Sequence, residues 1–275
     1  MPDTFAFHNG KYIEKEQIRI ERDNLAFERG FAVFDYCRVR NGKITFLTDH
    51  LERLMHSQSV LNLKVPVEMN EVKNILTELQ SQNKSRDAYF KIIISARFEN
   101  EQIFPVLTVY EDKFVPYPQI MFEQGIALIL HEFAKPFPEY KTTFYLGALR
   151  EYGRMKENNA EDVLFYFEDL VRETARCNIF VVKGNAIYTP DKNMLKGVTR
   201  KHVINCAQQN FFLIENDITV ADIFSADEVF ITSTTKNIMP VIRIEDRRIG
   251  SGQTGIVTKE LMKLYSIYCE QYVAD

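Results

Sequence analysis

Several features that assign a chain quickly are missing here. Four cysteines occur in 275 residues, Cys37, Cys177, Cys206 and Cys269, with no C-x-x-C pair among them. That spacing argues against a disulfide frame or a zinc site and fits reduced thiols in a cytoplasm. No uninterrupted apolar stretch is long enough to span a bilayer. The start, Met1-Pro2-Asp3-Thr4-Phe5, has no cationic segment leading into an apolar run, so no signal peptide is expected. No basic run stands out, and a net charge of −4 gives no electrostatic reason to expect nucleic acid. There is no internal repeat and no low-complexity tract, and neither a G-x-G-x-x-G nor a G-x-x-x-x-G-K-[ST] is expected to compete for a nucleotide. What remains is an ordinary soluble composition on a chain long enough for two domains.

The chain itself reads as strands and helices without regular alternation, which predicts α+β rather than a doubly wound sheet. Asn9-Gly10 and Asn41-Gly42 are hairpin signals. A helix is expected from about Thr48, capped by Asp49 with Glu52 three residues on and carrying Leu51, Leu54, Met55 and Leu61 on one face. Arg53 lies off that face, and periodicity alone leaves it a solvated arginine. A second amphipathic helix is expected over Asn70 to Gln80, then a buried strand from Tyr89 to Ala96 and a partner at Leu107 to Tyr110. Phe114-Val115-Pro116-Tyr117-Pro118 reads as a stiff linker. The domains are therefore set at 1–114 and 120–275, with 115–119 between them. In the second half a strand at Ile126 to His131 precedes a helix from Leu146 to Lys156. Val163 to Glu173 is a hairpin turning at Glu168-Asp169, and Ile179 to Thr189 is another around Gly184-Asn185. Helices from Gly197 and from Thr258, with strands at Glu228 to Thr232 and Val241 to Ile244, complete the reading.

Three pieces between Lys141 and Arg200 make chemical sense together: Tyr140-Lys141-Thr142-Thr143-Phe144-Tyr145, Glu173-Thr174-Ala175-Arg176-Cys177-Asn178, and Leu195-Lys196-Gly197-Val198-Thr199-Arg200. They offer an amine for a Schiff base, a carboxylate for a ring nitrogen and a Gly-x-Thr turn for a phosphate, the parts a pyridoxal phosphate site needs. With Val33-Phe34-Asp35, Arg38-Val39-Arg40-Asn41-Gly42, His50-Leu51-Glu52-Arg53-Leu54, Ala226-Asp227-Glu228-Val229-Phe230, Thr232-Ser233-Thr234-Thr235 and Thr254-Gly255-Ile256-Val257-Thr258 they resemble the class IV, fold-type IV aminotransferases. That family includes the branched-chain and D-amino-acid aminotransferases and the aminodeoxychorismate lyases.

The resemblance implies a two-domain α+β enzyme with pyridoxal 5'-phosphate between a smaller N-terminal and a larger C-terminal domain. It makes Lys141 the Schiff-base lysine, with Lys135 in Ala134-Lys135-Pro136 the nearest decoy. Glu173 would face the ring nitrogen, keeping it protonated so that the ring can take up electrons. Asn178 would hold the turn. Val198, Thr199, Thr234 and Thr235 would serve the phosphate with Arg53, which reverses its surface reading. Leu195 would pack on one ring face, and Tyr145 would lie near the ring hydroxyl. The partners implied are amino acids and 2-oxo acids, with a second copy of the chain; Phe31, Tyr36 and Tyr89 are compatible with such an interface. No metal is expected.

Departures bear on the substrate. Arg29-Gly30-Phe31-Ala32 replaces a glycine-rich Tyr-Gly-Asp-Gly element, Lys91 stands where branched-chain members carry arginine, and no Arg-x-His pair follows the Tyr89 strand. Phe144 replaces an asparagine, and Arg176 stands in a turn normally small or acidic. Phe34, Arg29, Tyr89 and Lys91 are the candidate substrate residues. Two other readings stay open at this point: a lyase that releases pyruvate from the same lysine and cofactor, and a non-catalytic binding protein on the same scaffold.

Overall fold

The computed structural model describes residues 4–272; Met1–Asp3, on which part of the reading of the chain start rests, lie outside them, as do the last three of the expected second domain. The chain divides into two compact units. The first runs up to Val115 and also takes Tyr140–Phe144, while Pro116–Glu139 and Tyr145–Tyr272 form the second. Both units combine helices with sheets in which most strand pairs are antiparallel, so the α+β expectation holds. No helix among the described residues is long and apolar enough to cross a membrane.

The first unit comprises β1 (Phe5–His8), β2 (Lys11–Glu14), α1 (Leu25–Arg29), β3 (Ala32–Arg40), β4 (Lys43–Ile44), α2 (Leu47–Gln58), α3 (Met69–Asn83), β5 (Ala88–Glu99) and β6 (Gln102–Lys113). Its six strands run in the order β2-β1-β6-β5-β3-β4, all antiparallel. Both Asn-Gly pairs form the expected hairpins, with φ of 47° and 84° at Asn9-Gly10 and 50° and 77° at Asn41-Gly42. These are the left-handed values a two-residue turn of that twist requires. Alternation along the strands sends Val33, Cys37, Val39, Phe90, Ile92, Ile94 and Val109 to one face, where Leu51 and Leu54 of α2 and Leu76 and Leu79 of α3 cover them. The opposite face carries Phe34, Tyr36, Arg38, Tyr89 and Lys91, in register across β3 and β5.

The start of α2 differs from expectation. No side chain caps it: the capping position is Phe46, at φ 56°, and Asp49 lies within the first turn. Phe46 is buried, so apolar anchoring sets the helix entry where a polar cap was expected.

The second unit comprises α4 (Gln119–Gln124), β7 (Ile126–Glu132), α5 (Leu146–Leu149), α6 (Tyr152–Glu157), β8 (Asp162–Phe167), β9 (Leu170–Thr174), β10 (Asn178–Lys183), β11 (Ala186–Thr189), α7 (Val198–Ala207), β12 (Phe212–Glu215), β13 (Ile218–Thr219), α8 (Val220–Phe224), β14 (Glu228–Ser233), β15 (Asn237–Ile244), β16 (Arg247–Arg248) and α9 (Ile256–Gln271). The strand order is β12-β11-β10-β14-β15-β7-β8-β9-β13, and a further pairing of Asn178 with Glu173 joins β10 to β9. That pairing closes β10, β14, β15, β7, β8 and β9 into a ring and places Glu173 at the closure. The turn at Glu168-Asp169 has φ of 49° and 64° without a glycine, a left-handed pair that the β8–β9 ladder holds in place. The single helix expected over Leu146 to Lys156 is broken at Arg150-Glu151 into α5 and α6. Buried Glu151 turns there to meet His131 at 3.6 Å and Arg154 at 3.2 Å.

Candidate active site

In the first unit Lys141 is held by its backbone on both sides. Its N–H donates to Ser57 Oγ at 3.0 Å, and its carbonyl accepts from Phe34 N–H at 2.9 Å. Thr142 bridges Val33, and Thr143 N–H donates to Ala32 O at 3.0 Å. The backbone at 141–143 thus lies against the start of β3, bridged to it at Thr142. The Lys141 Nζ sits 4.6 Å from the centre of the Phe34 ring, and Lys91 Nζ sits 5.4 Å from the same ring. Two amines therefore share one aromatic neighbour.

Arg53 is not a solvated residue. Its Nε and NH2 donate to the two oxygens of Asp35, each at 2.8 Å, a bidentate pair in which Asp35 is fully buried and the arginine side chain 11 % exposed. His50, one helical turn before Arg53, puts Nδ1 2.7 Å from the same carboxylate. Burial alone would push the Asp35 carboxyl up, but Arg53 and His50 hold it far below the usual carboxylate range. Burial pushes His50 down, with Asp35 opposing and Arg53 and Lys141 reinforcing the fall, so the ring is neutral and Nδ1–H donates to Asp35. Cys37 completes a group of three metal-ligand types with Asp35 and His50. Both carboxylate oxygens are already engaged by Arg53, so the group is an ion-pair network that fixes the guanidinium plane. Sequence reading quoted Asp35 and His50 without giving them a role; the i, i+3 spacing of His50 and Arg53 was the available signal.

In the second unit Asn178 joins the remaining candidates. It pairs with Glu173 across β9 and with Thr232 across β14, and its Nδ2 donates to Leu195 O at 2.7 Å. Gly197 lies so close that an added Cβ would stand 2.2 Å from Asn178 Oδ1. Glycine is required by this approach of backbone to side chain, since its φ of −66° is ordinary. Glu173 is buried; its Oε2 accepts from Leu195 N–H at 3.2 Å and its Oε1 from Lys135 Nζ at 2.9 Å. Val198 and Thr199 then open α7, whose N-terminus no side chain caps. Their N–H groups are among the four that a helix leaves without an internal partner. Thr234 and Thr235 form the half-buried turn between β14 and β15, and the Thr232 Oγ1 is buried with no hydrogen-bond partner among the described residues. Burial pushes the Tyr145 hydroxyl up, the charge of Glu173 adds to that, and Arg176 opposes it. One strand closure thus gathers a carboxylate, an uncapped helix start and a set of hydroxyls, a combination suited to a protonated ring nitrogen and a phosphate.

Other expected residues sit differently. Tyr89 is buried, stacked on Tyr36 at 4.8 Å between ring centres and flanked by Arg38 and Phe114, while Phe31 packs on the core. Arg29 is exposed at the end of α1. Lys236 was missed: it is fully buried directly after Thr235, with Nζ donating to Tyr117 Oη at 2.9 Å and lying 3.3 Å from Glu161. The expected absence of a G-x-G-x-x-G needs correction, because Gly250-Ser251-Gly252-Gln253-Thr254-Gly255 has that spacing and leads into α9. Its helix start is taken by Glu228, which accepts from Val257 N–H at 3.0 Å and Thr258 N–H at 2.8 Å. The spacing therefore receives a carboxylate from the protein itself.

The amino-transferase class IV family profile matches residues 32–244. A putative branched-chain-amino-acid aminotransferase of Methanocaldococcus jannaschii is 29% identical over 271 residues, covering 94% of this chain and 93% of the relative. A D-alanine aminotransferase of Listeria monocytogenes is 27% identical, covering 96% and 95%. Among solved structures, the branched-chain aminotransferase of the archaeon Thermoproteus uzoniensis with norvaline superposes with a TM-score of 0.84 at 23% identity, covering 96% of this chain and 94% of that one. The Escherichia coli branched-chain enzyme gives 0.89 at 19% identity, covering 99% and 97%. The chain belongs to the class IV aminotransferases, enzymes that use pyridoxal phosphate to transfer an amino group between an amino acid and a 2-oxo acid.

Proposed function

We propose that Lys141 is the amine that carries pyridoxal phosphate in this aminotransferase, and that Glu173 meets the ring nitrogen. The observation that supports the pair best is the contrast between the two lysines of the segment. Lys135 is committed to Glu173 at 2.9 Å, whereas Lys141 is backbone-pinned on both sides with its Nζ over Phe34. The donor set fits the cofactor: the uncapped start of α7 and the orphaned Thr232 hydroxyl suit a phosphate. Val198, Thr199, Thr234 and Thr235 would supply neutral donors, Arg53 its charge, Leu195 an apolar ring contact and Tyr145 a hydroxyl near the ring. When bound, pyridoxal phosphate supplies the ring that takes up the electrons released as the substrate's α-carbon loses its proton.

The chain's own residues set up that step. Lys141, when not bonded to the cofactor, would take the proton from the substrate's α-carbon and deliver it to the carbon on the cofactor side of the transferred nitrogen. Glu173 keeps the ring nitrogen charged. Lys91, on the same aromatic ring as Lys141, is placed to meet a substrate carboxylate, and Phe34 gives the substrate side chain an apolar surface. The curated relatives named above point to a small aliphatic amino acid as donor. We further propose a cytoplasmic homodimer: Leu146, Leu149 and Tyr152 stand 66%, 66% and 55% exposed on α5 and α6, a surface suited to a second copy. Borohydride treatment of the holoprotein followed by peptide mapping tests the lysine assignment. Label on Lys141 is expected; label on Lys135 would overturn it.

A further inference from the structure

Glu173 has a partner that the transfer reaction does not by itself require. Lys135 lies three residues beyond β7. Phe133 N–H donates to Tyr166 O at 2.9 Å, which lays this segment along β8, and Pro136 restricts the backbone of Lys135 itself. From there Nζ reaches Glu173 Oε1 at 2.9 Å, with side-chain exposures of 17% and 6%. Attraction between partners so far out of water is screened much less than in a surface pair.

We infer that Lys135 is a positioning residue that holds Glu173 oriented toward the ring nitrogen; this rests on the proposed role of Glu173. A charge-assisted bond to one carboxylate oxygen fixes the plane of the group, and a carboxylate turned out of that plane loses its hydrogen bond to the ring nitrogen. The other charges around Glu173 are otherwise engaged. Arg172, beside it on β9, pairs with Asp217 at 3.1 Å. Arg176 faces Asp162 at 3.9 Å and Glu161 at 4.0 Å. The Tyr145 hydroxyl stays neutral through burial and through the charge of Glu173 itself. Lys135 and the Leu195 N–H each occupy one acceptor site on Glu173. A carboxylate offers about four such sites, so room remains for a ring N–H. A cavity of about 280 Å³ bordered by Phe133, Lys135, Pro138, Phe165 and Glu173 lies beside the pair, so a changed side chain at 135 has space.

The experiment reconstitutes the protein with pyridoxal phosphate carrying ¹⁵N in the ring and reads the ring-nitrogen chemical shift in wild type, Lys135→Met, Lys135→Arg and Glu173→Gln. Wild type and Lys135→Arg should give the protonated-ring shift. Lys135→Met should move toward the unprotonated position, in the direction of Glu173→Gln. If Lys135→Met does not fold, Lys135→Gln, neutral and polar, is read in its place with the same expectation. A neutral variant at 135 that keeps the wild-type shift while Glu173→Gln moves overturns the role of Lys135 alone. No movement in Glu173→Gln overturns the assignment of Glu173 as well. An equal shift in Lys135→Arg and Lys135→Met would show that charge is not the cause.

Discussion

Asp35→Asn isolates the ion-pair network behind Arg53. The carboxylate is fully buried and accepts two bonds of 2.8 Å from Arg53 and one of 2.7 Å from His50. At an effective dielectric of about 20, a charge pair about 4 Å apart is worth roughly 4 kcal/mol before desolvation. An asparagine of the same size keeps the packing and one acceptor, yet leaves an arginine that is 11% exposed without its counter-charge. Breaking a buried pair from one side typically costs about 3–5 kcal/mol. A domain of this size loses about 2–4 °C of Tm per kcal/mol, so the melting temperature of the apoprotein should fall on the order of 10 °C. The pairing is then checked with Arg53→Leu and the double variant. Because the two side chains share their bonds, the double loss should fall short of the sum by about 0.5–3 kcal/mol. A single-variant loss under about 1 kcal/mol, or strict additivity, would refute the network and return Arg53 to a solvated role.

Three further outcomes follow from the same geometry. Folded-state pKa values of His50 and Asp35 both lie below their ordinary 6.5 and 3.8, so the unfolded chain binds the extra protons; stability should be fullest above pH 6.5 and decline on acidification, first through His50 and below about 4 through Asp35. Urea titrations across pH check this, and His50→Gln should remove the first decline. Gly197→Ala would drive a Cβ to 2.2 Å from Asn178 Oδ1, an overpacking cost of about 1–3 kcal/mol; differential scanning fluorimetry reads the loss, and a neutral result would show that the turn has room. Arg53→Ala should weaken pyridoxal phosphate binding by about one to two orders of magnitude, the value of a charge-assisted bond of about 1.5–3 kcal/mol, measured by titrating apoprotein.

Turn chemistry and strand pattern were legible because they are local. Asn-Gly pairs need left-handed φ, and β-branched runs such as Ile92-Ile93-Ile94 fit only a buried strand. Helix faces were legible for the same reason in α2 and α3. What escaped reading depends on distant partners or on very short elements. α4, β12, β13, α8 and β16 have two to six residues each, too few for a period to declare itself. The capping expectation at Asp49 failed because Phe46 is anchored by the core, which no i, i+3 rule encodes. In the site, Lys141, Glu173 and the Gly197 turn could be picked out by order along the chain. The pairing of Lys135 with Glu173, and of Asp35 with Arg53, joins residues 38 and 18 positions apart, so neither pairing is legible until the fold brings the two partners together.

The bridged segment around Lys141 also bears on how the chain is made. Phe34 N–H waits for a carbonyl 107 positions later, so the edge of β3 cannot be closed when Val115 leaves the ribosome. Contacts of such long sequence separation form late and slow folding. A nascent chain halted before Tyr140 would present an open strand edge of the kind that chaperones shield and aggregates capture. The lysine proposed to carry the cofactor belongs to the segment that closes this edge, so translation completes the first unit and delivers its reactive amine in the same stretch of synthesis.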